Sequence, residues 1–183
     1  RRGDMVTMDE LIDEVGADVA KYIFLTRKPN SHLDFDLDLA REHSDLNPVM
    51  KVKYAHARIC SLLANAEEAG IKVGDPTAAS LAHLEDEAEW NLVRELVRLP
   101  NVIVSAAKAR EPHRLTGYVD EIAGLYNQFW NSCRGILKQD DDRRLAQLHL
   151  SLITRHVIRV VFDLIALDAP ETIEAMLYAG MAV

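Results

Sequence analysis

The sequence predicts an all-α fold, an antiparallel helical bundle, and two observations carry that prediction. Long segments place apolar residues at the three- or four-residue spacing of one helix face. Short connections separate these segments, and glycine and proline are few, at 8 and 6 of 183 residues. Amphipathic helices with short connections bury their apolar faces against one another, which is the arrangement of a bundle.

The beginning of the chain predicts two short helices. Thr7 and Glu10 match a capping box, in which each side chain satisfies a free backbone N–H at the start of a helix. This helix is predicted to run through Val15 and to end at Gly16 in the left-handed conformation. A second helix is predicted over residues 17–28, before a Pro-Asn-Ser break.

Residues 32–39 alternate apolar and acidic side chains, which leaves two structures open. Such alternation is typical of a half-buried strand, but Asp is a poor strand former, so an extended connector is equally compatible. Asp34, Asp36 and Asp38 are predicted to form a solvated face opposite the apolar residues of the segment. A metal-dependent acid/base site on these aspartates is the alternative, and it would require a bound metal.

The remainder of the chain predicts long helices. Asn47 is a good N-cap, Pro48 suits the first helical position, and Gly70 suits the end of the same helix. The apolar stripe of this helix comprises Val52, Ala55, Ile59, Leu62, Leu63 and Ala66. Later helices are predicted at about 78–99 and 101–110, from Glu111-Pro112 to either Gly135 or the acidic turn 140–142, and at about 143–167. We therefore divide the chain into a small, mostly helical part, residues 1–46, and a bundle, residues 47–183.

Charge, cysteine and motif content narrow the possible functions. A formal net charge of −8 excludes a nucleic-acid binder that relies on global charge, but not one with a local basic surface. Cys60 and Cys133 lie far apart in apolar patterns, as expected of reduced core thiols in a cytoplasmic protein. No apolar run approaches the roughly 20 residues of a membrane span. No catalytic motif or metal-binding spacing occurs, so we predict no catalytic residue and no metal site in this chain.

Several short motifs are more specific together, in their order and spacing, than any one of them alone. They are the Arg1–Leu11 stretch, SHLDFDLDLA at residues 31–40, NPV and YAHARI within residues 47–59, EPHRLT at residues 111–116, FWNSCR at residues 129–134 and APE at residues 169–171. In these motifs the chain resembles the C-terminal part of bacterial arginyl-tRNA synthetases, with its anticodon-binding domain of the DALR type. The resemblance runs from Arg1 to about Ile173.

The resemblance implies a function for the enzyme as a whole. Members of the family join arginine to ATP and then transfer it to the 3′ end of tRNA(Arg), with ATP and Mg as cofactors. Their catalytic core would precede Arg1, so we expect this chain to bind no cofactor and to be inactive alone. Residues 1–46 would belong to the region that contacts the inner corner of the tRNA, and residues 47–183 would bind the anticodon.

The partner expected from the resemblance is tRNA(Arg), bound by a cytoplasmic monomer without a membrane or DNA partner. Two alternatives stay open. One is a helical protein-interaction module without an RNA role, which a large exposed apolar patch and no positive surface along residues 47–69 would favour. The other is the related anticodon domain of a cysteinyl-tRNA synthetase.

Helix geometry proposes which residues contact the RNA. Tyr54 and Arg58 are four residues apart beside the apolar stripe of their helix, and Tyr126, Trp130 and Arg134 repeat that spacing later. Unstacked bases are read by aromatic rings, arginine planes and amide groups. The predicted anticodon-binding residues are Asn47, Tyr54, Arg58, Tyr126, Trp130, Asn131 and Arg134.

Each of these residues also has an ordinary structural interpretation. Tyr54 and Trp130 would serve equally as aromatic residues at the edge of the core. Asn47 is either a helix cap alone or a cap beside the RNA. Arg58 and Arg134 would also fit an ordinary surface.

The chain departs from the family's pattern at several positions. Met50 and Lys51 stand where aromatic residues are usual, Lys53 where Gln is usual, Trp130 where Tyr is usual and Ile173 where Met is usual. The two lysines predict contact with the tRNA backbone instead of base stacking.

Overall fold

A computed structural model describes residues 7–28, 30–133 and 135–172, and the regular structure in these ranges is helical. The elements are α1 (Met8–Val15), α2 (Ala17–Leu25), α3 (Leu37–Arg41), α4 (Pro48–Glu68), α5 (Ala78–Leu81), α6 (Glu87–Leu96), α7 (Leu99–Ala109), α8 (His113–Ser132), a 3-10 turn (Ile136–Lys138) and α9 (Asp141–Leu164). The prediction of an all-α fold is confirmed.

The core lies between the three longest helices, α4, α8 and α9, which pack against one another, with α6 against α8 and α9. Its largest fully buried side chains include Tyr126, Phe129, Phe162, Ile59 and Leu92. Burying a side chain of this size stabilises a fold by roughly 1.5–3 kcal/mol. Among the described helices, none is both long enough and apolar enough to cross a membrane.

The apolar stripes predicted from the sequence form this core. On α4, five of the six predicted residues are buried, and Leu63 packs against the core from its edge. Apolar residues at helical spacing along α8 and at its C-cap are also buried; they are Leu115, Val119, Ile122, Tyr126, Phe129 and Cys133. The start of α4 is also as predicted, because Asn47 caps it and Pro48 occupies its first turn.

The capping box at the start of α1 is confirmed. The Thr7 hydroxyl accepts a hydrogen bond from the Glu10 N–H at 3.3 Å, and the Glu10 carboxylate accepts one from the Thr7 N–H at 2.8 Å. Gly16 has φ 82° and ψ 150°, so it is not in the left-handed helical conformation that we predicted. It joins α1 directly to α2 in a conformation that favours glycine. The second helix is shorter than predicted and ends at Leu25.

Residues 32–36 form the extended connector, and a short helix that the sequence did not predict, α3, follows. Asp36 caps α3 by accepting a hydrogen bond from the Leu39 N–H at 3.0 Å. Asp34, Asp36 and Asp38 are exposed and the apolar residues between them are half-buried, which confirms the solvated face. The carboxylates have separate partners, since Asp34 contacts His32 and Asp38 pairs with Arg41.

The helix predicted over residues 78–99 is wrong, because the structure has two helices there, α5 and α6. Asp86 and Glu89 form a capping box that starts α6 afresh, and this satisfies backbone N–H groups that a continuous helix would have used. Pro100 lies in the first turn of α7, where its missing N–H leaves no hydrogen bond unmade.

The small N-terminal part packs onto the bundle through α2. Tyr22 is fully buried in the main core, and its hydroxyl donates a hydrogen bond to the Thr116 carbonyl of α8 at 3.1 Å. Lys53 of α4 forms an ion pair with Asp18 of α2 at 2.6 Å. The helix α2 therefore shares the core of the bundle, and a division at residue 46 stays a prediction.

Candidate nucleic-acid interface

A cleft of about 750 Å³ lies between α4, the end of α8 and the 3-10 turn. It is lined by Tyr54, Arg58, Ser61, Leu62, Asn65, Trp130, Asn131, Cys133, Gly135, Ile136, Leu137 and Lys138. The core contacts of α4 and α8 bring Tyr54 and Arg58 to the same cleft as Trp130 and Asn131. Tyr54, Arg58, Trp130 and Asn131 therefore face one space, although the two pairs are far apart in the sequence.

Arg58 and Trp130 form the centre of the cleft. The Arg58 guanidinium carbon lies 5.5 Å from the centroid of the Trp130 ring, within the range of a cation–π contact. Arg58 Nη1 also donates a hydrogen bond to Asn127 Oδ1 at 2.6 Å. Both Arg58 and Trp130 are half-buried, so each keeps part of its surface open to the cleft.

Tyr54 and Asn131 occupy the two sides of this centre. The Tyr54 hydroxyl donates a hydrogen bond to the His43 carbonyl at 2.9 Å, which fixes the ring against the segment before α4. Asn131 is exposed, so its amide is open to a ligand. The cleft therefore presents aromatic, guanidinium and amide groups, the three types that read unstacked bases.

Tyr126 corrects our prediction, because it does not reach the cleft. Its side chain is 0% exposed, and its hydroxyl donates a hydrogen bond to Ser151 Oγ at 3.2 Å. Burial raises the pKa of this hydroxyl above its ordinary value. The ring centroid lies 6.4 Å from that of Trp130 and 5.5 Å from that of Phe129. Tyr126 therefore supports Trp130 from the core and has no face on which a base could stack.

Asn47 is likewise inaccessible, and the helix-cap interpretation applies. The residue is 0% exposed. Its side-chain oxygen accepts a hydrogen bond from the Val49 N–H at 3.2 Å, and its amide nitrogen donates to the Ala40 carbonyl at 3.0 Å. Asn47 thus ties the start of α4 to α3, and this buried side chain offers no exposed surface for the predicted contact with the anticodon.

The two lysines predicted to contact the tRNA backbone have internal partners. Lys53 is 7% exposed and its ammonium pairs with Asp18, so burial removes it from the surface and corrects the prediction. Lys51 is half-buried, and its ammonium lies 3.0 Å from Asp120 of α8. Each carboxylate neutralises the charge that a phosphate would require. The predicted residue Arg134 lies outside the described residues.

Lys138 is a cation of the cleft that sequence reasoning missed. It is exposed, and no carboxylate among the described residues forms an ion pair with it. The stem of its side chain lies over Gly135, where an added Cβ would come within 3.4 Å of Lys138 Cδ. Gly135 also has φ 81°, which favours glycine. Lys138 follows the end of α8, so helical spacing could not place it.

The charge of the cleft is opposite in sign to that of the whole chain. Arg58 and Lys138 line it, and no Asp or Glu of the described residues does. The formal net charge of the chain is −8. The cleft is therefore the kind of local basic surface that a phosphate-bearing ligand needs.

A second polar cluster lies next to the cleft, where Asp86, Glu89 and Cys133 place possible metal-ligand atoms within 4.8 Å of one another. The Arg143 guanidinium lies among them, 2.6 Å from Asp86 and 3.4 Å from Glu89. Gln147 Nε2 donates a further hydrogen bond to Glu89 at 2.7 Å. Burial raises the pKa of the Cys133 thiol to about 11, which disfavours the thiolate that binds metals. The cluster is best described as an ion-pair network that joins α6 to α9.

Comparison with known proteins identifies the family of the chain that contains this cleft. Residues 52–173, well over half of the chain, match the family described as the DALR anticodon binding domain. The chain belongs to the DALR anticodon-binding family. Every residue that lines the cleft lies within residues 52–173, the range that matches the DALR family.

The relatives of this DALR domain include arginine–tRNA ligases. It is 46% identical over 171 residues to the enzyme named arginine–tRNA ligase in Moorella thermoacetica, covering 93% of this chain and 30% of the relative. The corresponding enzyme of Symbiobacterium thermophilum is 43% identical over 173 residues, with the same two coverages. The chain thus spans about 30% of the length of these relatives.

Two solved structures are similar to the DALR domain. The arginyl-tRNA synthetase structure from Campylobacter jejuni superposes with a TM-score of 0.81 at 29% identity, covering 94% of this chain and 37% of that one. The Thermus thermophilus arginyl-tRNA synthetase gives a TM-score of 0.72 at 24% identity, over 87% of this chain and 27% of that one. The second likeness concerns the fold alone.

Proposed function

We propose that this chain is the part of an arginine–tRNA ligase that binds the anticodon of tRNA(Arg). The observation that carries the proposal is the cleft, which brings Tyr54, Arg58, Trp130 and Asn131 together inside the region that matches the family. Because the chain spans about 30% of its relatives, we propose ligation of arginine to tRNA, with ATP and Mg, for the whole enzyme and not for this chain.

The cleft would bind the anticodon loop through stacking and charge. Trp130 and Tyr54 offer aromatic surface, and each stacked base contributes roughly 1–3 kcal/mol. Asn131 offers hydrogen-bond groups to a base edge. Lys138 lies unpaired among the described residues and would neutralise one backbone phosphate.

We propose that residues 1–46 contact the inner corner of the tRNA, and that the enzyme is a cytoplasmic monomer. The cationic lining of the cleft favours RNA over a protein-interaction module. The names of the relatives favour the arginyl over the cysteinyl enzyme.

Replacing Arg58 in the complete enzyme tests the site. Arg58→Ala is expected to raise the KM for tRNA(Arg) by about tenfold, the equivalent of 1.4 kcal/mol, with little change in kcat, because the residue contacts the anticodon and not the reacting atoms. The measurement is steady-state aminoacylation at varied tRNA concentration. Arg159→Ala, which removes the same charge from an exposed position on α9 outside the cleft, is the matched control.

Two results would contradict the proposal at different levels. An unchanged KM in the Arg58→Ala enzyme would show that the cleft is not the anticodon site. Equal binding of tRNA(Arg) and an unrelated tRNA by the isolated chain would argue against the function itself.

A further inference from the structure

The Arg58 side chain is held from two directions before any ligand arrives. Its guanidinium lies over the Trp130 ring at 5.5 Å, and Nη1 donates to Asn127 Oδ1 at 2.6 Å. Asn127 and Trp130 are three residues apart on α8 and therefore lie on the same face of that helix. One helix thus supplies both the ring under the guanidinium and the acceptor beside it.

Asn127 is set back from the space that a ligand would enter. It is half-buried, and it is absent from the described residues that line the cleft, whereas Arg58 and Trp130 are present there. Its structural effect is therefore transmitted through Arg58. A residue in this position orients a binding group and does not contact the ligand.

The hydrogen bond matters because an arginine side chain has many rotamers. A free guanidinium must lose that freedom when a base stacks on it, and the loss opposes binding. Contact with Trp130 fixes how far the Arg58 guanidinium lies from the ring. The hydrogen bond to Asn127 restricts rotation of the guanidinium within its own plane. Together the two contacts orient the guanidinium plane of Arg58 before the RNA binds.

We propose that Asn127 is a positioning residue that orders Arg58 on Trp130, so that the two residues form one stacking platform for a nucleobase at the cleft. This inference rests on the proposed function, and it names the surface that takes the base. The base stacks on the guanidinium face opposite Trp130, and the guanidinium acts as a plane more than as a point charge.

A fluorescence titration tests the platform. The chain has two tryptophans, and Trp90 lies on α6 outside the cleft. Measurements are made in a Trp90→Phe background, so that the tryptophan fluorescence comes from Trp130 alone. The probe is an unmodified anticodon stem-loop RNA of tRNA(Arg), titrated at several salt concentrations. Binding is expected to quench Trp130 emission, because a base stacks on the platform that contains the ring.

Asn127→Ala in this background is expected to weaken RNA binding about 3- to 10-fold through the lost pre-ordering of Arg58. The dependence of affinity on salt should not change, because the charge of Arg58 remains. Arg58→Lys keeps the charge but loses the plane, so it should weaken binding by a similar factor. Asn127→Asp retains an acceptor for Arg58 and should recover part of the loss.

The chain supplies a matched control in Asn91, whose side-chain oxygen accepts a hydrogen bond from Arg94 on α6, outside the cleft. Asn91→Ala removes an Asn–Arg bond of the same kind and should leave RNA binding unchanged. Thermal unfolding of each variant verifies that the fold persists.

The outcomes separate this inference from the function on which it rests. If Asn127→Ala binds RNA as tightly as the background chain while Arg58→Ala does not, the positioning role is wrong and the anticodon site stands. A salt slope that falls by about one in Asn127→Ala would make Arg58 a phosphate ligand and overturn the platform. If the Trp90→Phe chain itself does not bind the stem-loop, the proposed function fails.

Discussion

Tyr126 and Trp130 are aromatic residues one turn apart on α8 with opposite environments. Four residues advance a helix by about 40° more than one turn, because a turn takes 3.6 residues. That rotation leaves Tyr126 fully buried, with its hydroxyl on Ser151, while Trp130 reaches the cleft. The spacing of the aromatic residues predicted that they would be neighbours, but the neighbouring helices decide which of them meets solvent.

Replacing these two residues should therefore have different effects. Trp130→Ala is expected to weaken tRNA binding by roughly 1–3 kcal/mol, because the stacking platform that Trp130 forms with Arg58 is lost. Tyr126→Phe keeps the buried ring but removes its hydrogen bond, so it should lower the free energy of unfolding by about 0.5–1.5 kcal/mol and leave tRNA binding unchanged. Binding titrations and urea unfolding measure the two quantities. A Tyr126→Phe chain that bound tRNA as weakly as Trp130→Ala would show that Tyr126 contacts the RNA.

At the scale of elements, the 3-10 turn after α8 completes the cleft. Ile136 is buried and holds the turn against the core, while Lys138 is exposed and lines the cleft. Helical spacing cannot predict a residue in such a turn, because the direction of the chain changes at Gly135. The start of α6, in contrast, could have been predicted from the sequence. Asp86 and Glu89 have the spacing of a capping box, and they lie inside the region predicted as one helix.

The position of Lys138 in this turn gives a prediction about salt. Lys138→Ala should reduce the slope of log affinity against log salt by about one, since one phosphate contact is lost. Lys108→Ala on α7, an exposed lysine outside the cleft, should leave the slope unchanged. Titrations of the chain with tRNA(Arg) across a salt series give both slopes. Equal slopes in the two variants would remove Lys138 from the interface.

At the scale of the whole molecule, tertiary contacts determine which charges are free. Lys51 and Lys53 are part of a basic stretch in the sequence, yet Asp120 and Asp18 of other helices neutralise them. These ion pairs join residues distant in the sequence, so no local pattern could reveal them. Among the described residues that line the cleft, the cations are Arg58, which the sequence did predict, and Lys138, which it did not.

His56 joins Pro170 to the bundle, and the direction of its pKa predicts that stability depends on pH. Burial lowers its pKa below the ordinary value of 6.5, although the hydrogen bond to the Pro170 carbonyl, at 2.9 Å from Nδ1, opposes this. Arg155 and Arg159 also lower the pKa and Glu171 raises it. Among the described residues, the buried Nε2 has no hydrogen-bond partner, so a second proton there would be unsatisfied.

The sign of the pH dependence follows from the lowered pKa. Stability from neutral His56 is present above about pH 6.5, the unfolded value, and is lost as the pH falls through the folded pKa. The free energy of unfolding should therefore decrease more steeply below pH 6.5 in the native chain than in His56→Gln. Urea unfolding between pH 5 and 8 compares the two chains, because this range extends about 1.5 units to each side of the ordinary pKa of 6.5. Parallel profiles would mean that His56 does not titrate with unfolding.

Recognition of the tRNA(Arg) anticodon by the cleft between α4 and α8 can be tested by binding alone. The most direct measurement compares the affinity of the chain for tRNA(Arg) with its affinity for the same tRNA carrying a replaced anticodon, at one salt concentration. We predict at least about tenfold tighter binding of the native tRNA, as expected when one base contact worth 1–3 kcal/mol is lost, and we predict that Arg58→Ala abolishes the difference. Equal affinities of the native chain for the two tRNAs would contradict the claim.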